Sequence, residues 1–162
     1  MTRAQPWAGL GVLTALAAGV ALARVEPVAP PRLHIAAGVL LGAVAGAVLG
    51  LAVARWLSRS IRRPPVGVAF FLLAVAAGEE IVWRGGVQAV LTGPLQSWAA
   101  LVLAALLFGA VHGPSRHAAT LHALTGFAFG VVYLATGRLI AAVAAHGAYN
   151  IAVLSCDGPA AG

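Results

Sequence analysis

The chain has 162 residues, about one domain's worth, of which 61% are hydrophobic and only 9% charged, against about 25% charged in soluble domains. Ten basic residues, all of them arginine, stand against four acidic ones. So much apolar material excludes disorder, the lone Cys156 excludes a disulfide scaffold, and too little polar surface remains to cover an ordinary soluble enzyme.

A membrane-spanning helix needs about 20 mostly apolar residues. The charges leave uninterrupted runs of 20 residues (4–23), 22 (33–54), 15 (64–78), 31 (85–115), 21 (117–137) and 18 (139–156). Six spans are predicted in chain order: Trp7–Ala23, Leu33–Ala54, Val66–Leu91, Trp98–His112, Thr120–Thr136 and Leu139–Leu154. The expected fold is all-α, a polytopic transmembrane helical bundle forming one integral membrane domain over 1–162. The first span has a rival reading. Arg3, an apolar stretch and Ala21-Leu22-Ala23 resemble a cleavable signal peptide, although 20 residues is long for its apolar region. Gly38, Gly42, Gly46 and Gly50 recur every fourth residue on the second span, and Gly126 and Gly130 repeat that spacing on the fifth. Small residues at this interval let helix backbones approach closely. The 31-residue run is divided by Gly93-Pro94-Leu95-Gln96-Ser97, a turn signal. Trp7, Trp56 and Trp98 fall at span ends, as interfacial anchors do.

Arg55, Arg59, Arg62 and Arg63 crowd the loop between the second and third spans, and the other arginines are scattered singly. That distribution reads as topology signals rather than a nucleic-acid-binding face. With the N-terminus inside, six arginines (3, 55, 59, 62, 63 and 116) fall on the cytoplasmic side and three (24, 32 and 138) outside. Both termini are therefore expected in the cytoplasm of a cell whose plasma membrane holds the chain. The arginine-only, Ala- and Gly-rich usage suggests a GC-rich bacterial genome.

The third span contains Glu79, Glu80 and Arg84. Ionised groups at bilayer depth cost roughly 2.5–3.5 kcal/mol each, whereas a leucine returns only about 0.5. Such groups persist where they face a protein interior or a watery cavity. Glu80 and Arg84, four residues apart, lie about 40° apart on a helix and can pair. Glu79 and Arg84, five apart, diverge by about 140°, so Glu79 lacks a local counter-ion and is free to serve as a general base. A purely structural network of the three remains the alternative. His112 ends the fourth span, and His146 and Asn150 share one face of the sixth. His122 precedes Gly126 by one turn, which suits a secondary polar role. His34 and His117 fall at span ends. Trp83 either packs in the core or walls a pocket.

Glu79-Glu80-x-x-x-Arg84, Phe108-x-x-x-His112 and His146-x-x-x-Asn150, in this order, resemble the three motifs of the CPBP family. These are the type II CAAX prenyl protease and bacteriocin-processing intramembrane endopeptidases, formerly called Abi proteins. The resemblance covers about 72 residues, and Gly85 after Arg84 also fits it. It implies a catalytic core within 66–156, behind two N-terminal spans and a basic loop in 1–63, with a site in an intramembrane cavity and no obligate metal. Matched by motif, Glu79 and His112 would activate water, His146 and Asn150 would stabilise the oxyanion, and Glu80 and Arg84 would hold the site's shape. Family members commonly carry about eight spans, against six here.

The residue chemistry is compatible. Peptide hydrolysis needs a base and donors aimed at the tetrahedral oxygen, and no serine or cysteine sits beside a base to favour a covalent route. Zinc is the rival: Glu79, His112 and His146 could make a three-ligand site, but there is no His-Glu-x-x-His and no partner evident to orient the histidines. The expected substrate is a membrane-associated or lipid-modified peptide reached from the bilayer. The competing class is a small transport or solute-binding subunit whose buried charges hold a solute.

Overall fold

The computed structural model describes residues 33–57, 65–112 and 115–154. These residues form helices and no strand. Helix α1 is Ile35–Trp56, α2 Val66–Glu80, and a π-helical segment, Ile81–Gln88, runs on into a short α3, Ala89–Thr92. Then follow α4 (Ser97–His112), α5 (Arg116–Thr136) and α6 (Leu139–Leu154). Helix α1, the continuous rod from Val66 to Thr92, and α5 are each long and apolar enough to cross a membrane, while α4 and α6 are shorter apolar helices. The described residues thus supply five of the six expected spans. The first, Trp7–Ala23, lies outside them, as do Arg59, Arg62, Arg63 and Cys156.

The ends of the helices follow from local chemistry. Pro65 precedes α2, where a residue without an N–H costs nothing. His34 caps α1 by accepting the Ala36 N–H at 3.4 Å. Gly93 to Gln96 make the turn that divides the long apolar run. Helix α5 starts a turn earlier than Thr120, because the Ser115 side chain accepts the Ala118 N–H at 3.2 Å and so caps it. It ends at Gly137, whose φ of 65° is the left-handed conformation glycine adopts most cheaply.

Packing is inverted relative to a water-soluble bundle. On α1 the buried face is Gly38, Gly42, Gly46 and Gly50, while Leu40, Leu41, Val44, Val48 and Leu51 face outward. Water would penalise that arrangement; lipid does not, because its tails are as apolar as leucine and helices associate through close packing instead. The glycine face lies along α6. A Cβ at Gly42 would overlap the Ala141 carbonyl, and one at Gly46 the Ala145 carbonyl, so the two backbones are in direct contact. Helix α4 packs along α5 in the same way, with Gly109 against the Ala119 carbonyl, Gly126 against Phe108 and Gly130 against Leu101. Helix α2 packs mainly on α6, and the π-helical segment bridges to α4. Trp56 and Trp98 stand exposed at the ends of α1 and α4, where anchors belong.

Candidate active site

The ionisable residues of the third span sit where α2 passes into the π-helical segment. The apolar pattern of the sequence predicts only a plain α-helix here. π-Helical turns inside α-helices occur frequently at functional sites. In an α-helix residues i and i+8 are about 80° out of line; widening the turn keeps Glu80, Arg84 and Gln88 nearer one face, and all three are buried.

Glu80 and Arg84 form the ion pair that their spacing allows, Nη1 donating to Oε1 at 2.9 Å. The other guanidinium nitrogen, Nη2, donates to the Gly126 carbonyl on α5. The cation also lies 5.5 Å from the Phe108 ring centre and 5.8 Å from that of Phe129, close enough for cation–π attraction on both. Arg84 therefore ties the third span to α4 and α5 through charge, a hydrogen bond and two ring faces. The Glu80 side chain is 0% exposed, and its Oε2, like both polar atoms of the Gln88 amide, has no hydrogen-bond partner among the described residues.

Glu79 points elsewhere. Its side chain and that of His112 are each 26% exposed, while Glu80, Arg84 and His146 beside them are buried. The carboxylate lies between two imidazoles: His112 Nε2 is 3.5 Å from Oε1 and His146 Nε2 is 3.6 Å from Oε2. Glu79 is thus without a counter-ion only on its own helix, since α4 and α6 bring it two basic groups. Both separations lie at the outer edge of hydrogen-bond distance, so each imidazole is an ion-pair-range neighbour of the carboxylate.

Each histidine is oriented by its second nitrogen. His112 Nδ1 donates to the Phe108 carbonyl at 2.7 Å, and His146 Nδ1 donates to Glu80 Oε1 at 2.8 Å. Nε2 of each ring is thereby turned toward Glu79. The sequence shows no partner to orient the histidines; the fold supplies one for each, from the preceding helical turn for His112 and from another helix for His146. Aromatic packing fixes the rings further. Phe108 lies 4.1 Å from His112, Phe129 stacks on His146 at 4.6 Å and 19°, and Trp83 meets Phe108 edge-on at 5.4 Å. Behind Phe129 an apolar cavity of about 60 Å³ opens among Ala45, Gly46, Leu49, Ala128, Val132 and Ala145, too small to hold a peptide segment.

Asn150 is half-buried one turn beyond His146, and its side-chain amide makes no hydrogen bond among the described residues. The fold thus brings Glu79, Glu80, Arg84, His112 and His146 into one contact network and leaves Asn150 beside it on α6. His122 is also at this site: its ring centre is 5.5 Å from that of His112 and 6.2 Å from that of Phe108. Its one-turn offset from Gly126, the carbonyl that holds Arg84, was the only sequence signal for this.

Fold and site together define a polytopic helical membrane protein with paired carboxylates and two histidines gathered between its spans. The family model for type II CAAX prenyl endopeptidases, Rce1-like, matches residues 61–152. The chain belongs to that family, as its three motifs indicated, and is a CAAX-protease-type intramembrane endopeptidase acting on membrane-associated peptides. No curated protein and no solved structure matches it. The family assignment decides against a transport or solute-binding subunit.

Proposed function

We propose that the chain hydrolyses its substrate by glutamate- and histidine-activated water, without a covalent enzyme intermediate. The observation that carries this reading is the Glu79 carboxylate set between His112 Nε2 and His146 Nε2. A water held by Glu79 and His112 gives a proton to Glu79 as its oxygen attacks the scissile carbonyl carbon. The carbonyl π electrons move onto oxygen, and His146 with Asn150 receives that oxyanion. His146 keeps its Nδ1 proton, donated in a hydrogen bond to Glu80; to receive the oxyanion it carries a second proton on Nε2, and the two nearby carboxylates balance the imidazolium charge. Collapse of the tetrahedral intermediate breaks the C–N bond, and the proton returns through Glu79 and His112 to the leaving amine. Glu80 and Arg84 take no part in bond making; they fix His146 and tie the site to α4 and α5.

The substrate class that fits is a membrane-associated or lipid-modified peptide cut near its end: a prenylated tail, a bacteriocin leader or a sorting tail. Comparative peptidomics of membranes from cells carrying the wild-type protein or Glu79→Gln tests the reading on whatever substrate the cell supplies. Peptides that accumulate uncut only in the variant, with equal protein in the membrane, are expected. Identical peptide profiles would remove Glu79 from the chemistry.

A further inference from the structure

Trp83 stands within the first motif, directly before Arg84, and the hydrolytic steps give it no task. The other described tryptophans, Trp56 and Trp98, stand exposed at helix ends. Trp83 instead lies inside the rod from Val66 to Thr92, partly buried against other rings. Its indole meets Phe108 edge-on at 5.4 Å and is tilted 57° to the His112 imidazole, the ring centres 6.3 Å apart. Glu79 precedes it by four residues, so the two stand one turn apart on the same side of the span. The indole thus borders the pair formed by His112 Nε2 and Glu79 Oε1, 3.5 Å apart. Resting on the hydrolytic reading above, we propose that Trp83 is a specificity-determining residue: the apolar wall that limits the size of the substrate side chain on the leaving-amine side of the scissile bond.

Exposure and position both point there. Glu79 and His112 are each 26% exposed, and Trp83 is partly exposed with them, while Phe108, Glu80, Arg84 and His146 are buried. A peptide therefore reaches Glu79 and His112 across the side of the site that the indole shares. The two histidines then distinguish the two halves of that peptide. His146 with Asn150 receives the carbonyl oxygen, and the proton passes through Glu79 and His112 to the leaving amine. The residue that carries this amine consequently lies toward His112, where the indole is. On the other side the ring against His146 is Phe129, which is buried. The wall is also firm. Trp83 abuts Phe108 in the edge-on geometry that aromatic pairs favour, and Phe108 in turn lies 4.1 Å from the His112 ring. A wall of fixed shape selects by volume, and one methylene in an apolar pocket changes kcat/KM by about 10–200-fold.

The test uses the full chain in lipid nanodiscs and farnesylated, internally quenched peptides that carry alanine, valine, leucine or phenylalanine directly after the scissile bond. The quantity read is the ratio of kcat/KM for the phenylalanine peptide to that for the alanine peptide. Trp83→Leu removes much of the wall, so this ratio is expected to rise by about tenfold or more. Trp83→Phe keeps a smaller ring and should raise it by about threefold; it carries the test alone if the leucine variant fails to fold. A second peptide series, varied one residue farther toward the C-terminus, is expected to keep the wild-type ratio. Ratios within about twofold of wild type in the first series overturn the proposal. So does an equal loss on every peptide, the mark of a purely structural indole, and so does a shift confined to the second series. Failure of the hydrolytic reading shows differently, as cleavage that persists in Glu79→Gln whatever residue stands at Trp83.

Discussion

Adjacent carboxylates in one span have opposite environments, and the difference is a matter of one residue's rotation about the helix. Glu80 faces inward, where Arg84 and His146 converge on its Oε1; Glu79, partly exposed, lies between the Nε2 atoms of His112 and His146. Glu80→Gln should therefore destabilise the protein. It leaves the buried guanidinium uncompensated, a loss on the order of 3–5 kcal/mol for a buried pair, and it weakens the contact that orients His146. Thermal or denaturant unfolding in detergent checks this, and a Glu80→Gln protein as stable as Glu79→Gln would contradict it. Asn150 makes a different prediction, because its amide has no partner among the described residues in the resting protein. If it meets only the oxyanion, Asn150→Ala should lower kcat by about 10²–10³ with little change in KM. A raised KM with unchanged kcat would make it a substrate-binding group instead.

The helices are held by what their glycines omit. At Gly46 any side chain collides with the Ala145 carbonyl, directly before His146. Gly46→Ala should force α1 away from α6 and cost about 1–3 kcal/mol or more, as overpacking of a filled interior does. Gly67, near the start of α2, has nothing within 4 Å of where a Cβ would lie. Gly67→Ala should accordingly be neutral or stabilising by up to about 1 kcal/mol, from helix propensity alone. Parallel thermal scans of the two variants separate close approach from a general intolerance of substitution. The π-helical segment is the other element-scale feature that matters. It brings Arg84 and Gln88 onto the buried face below Glu80, so that the third span presents ion pair and amide to the glycines of α5.

Over the whole molecule, the site exists only where three helix packings meet. Helices α2 and α6 bring Glu79 to His146, α4 along α5 places His112 and His122, and Arg84 joins the halves through Gly126. His112 and His146 each have Nδ1 bound to an oxygen and Nε2 turned toward Glu79, which is also how the imidazoles of a zinc site are oriented. Among the described residues, however, no three donors converge closely enough to hold a metal ion. With water activation proposed for Glu79 and His112, cleavage of a farnesylated, internally quenched peptide is expected to survive exhaustive treatment with EDTA and phenanthroline. Activity lost to chelators and restored stoichiometrically by zinc would assign water activation to a metal.

The sequence by itself determined that this is a helical membrane protein and where most of its spans lie, because the cost of charge in hydrocarbon acts on every residue independently of tertiary context. It also determined the Glu80–Arg84 pair, since spacing along one helix is local geometry, and the family, since three short motifs in order survive without a structure. The first turn of α5 was missed because Arg116 reads as a span boundary, whereas the Ser115 cap lets the helix begin there. Tertiary structure decided what spacing along a chain does not carry: that His146 binds Glu80 as well as facing Glu79, that His112 completes the other side, and that His122 stands against it. It also decided the π-helical turn, since the buried face it forms meets the glycines of another span. Contacts between residues on different spans depend on how helices cross, and the glycines fix those crossings only when their partners are known.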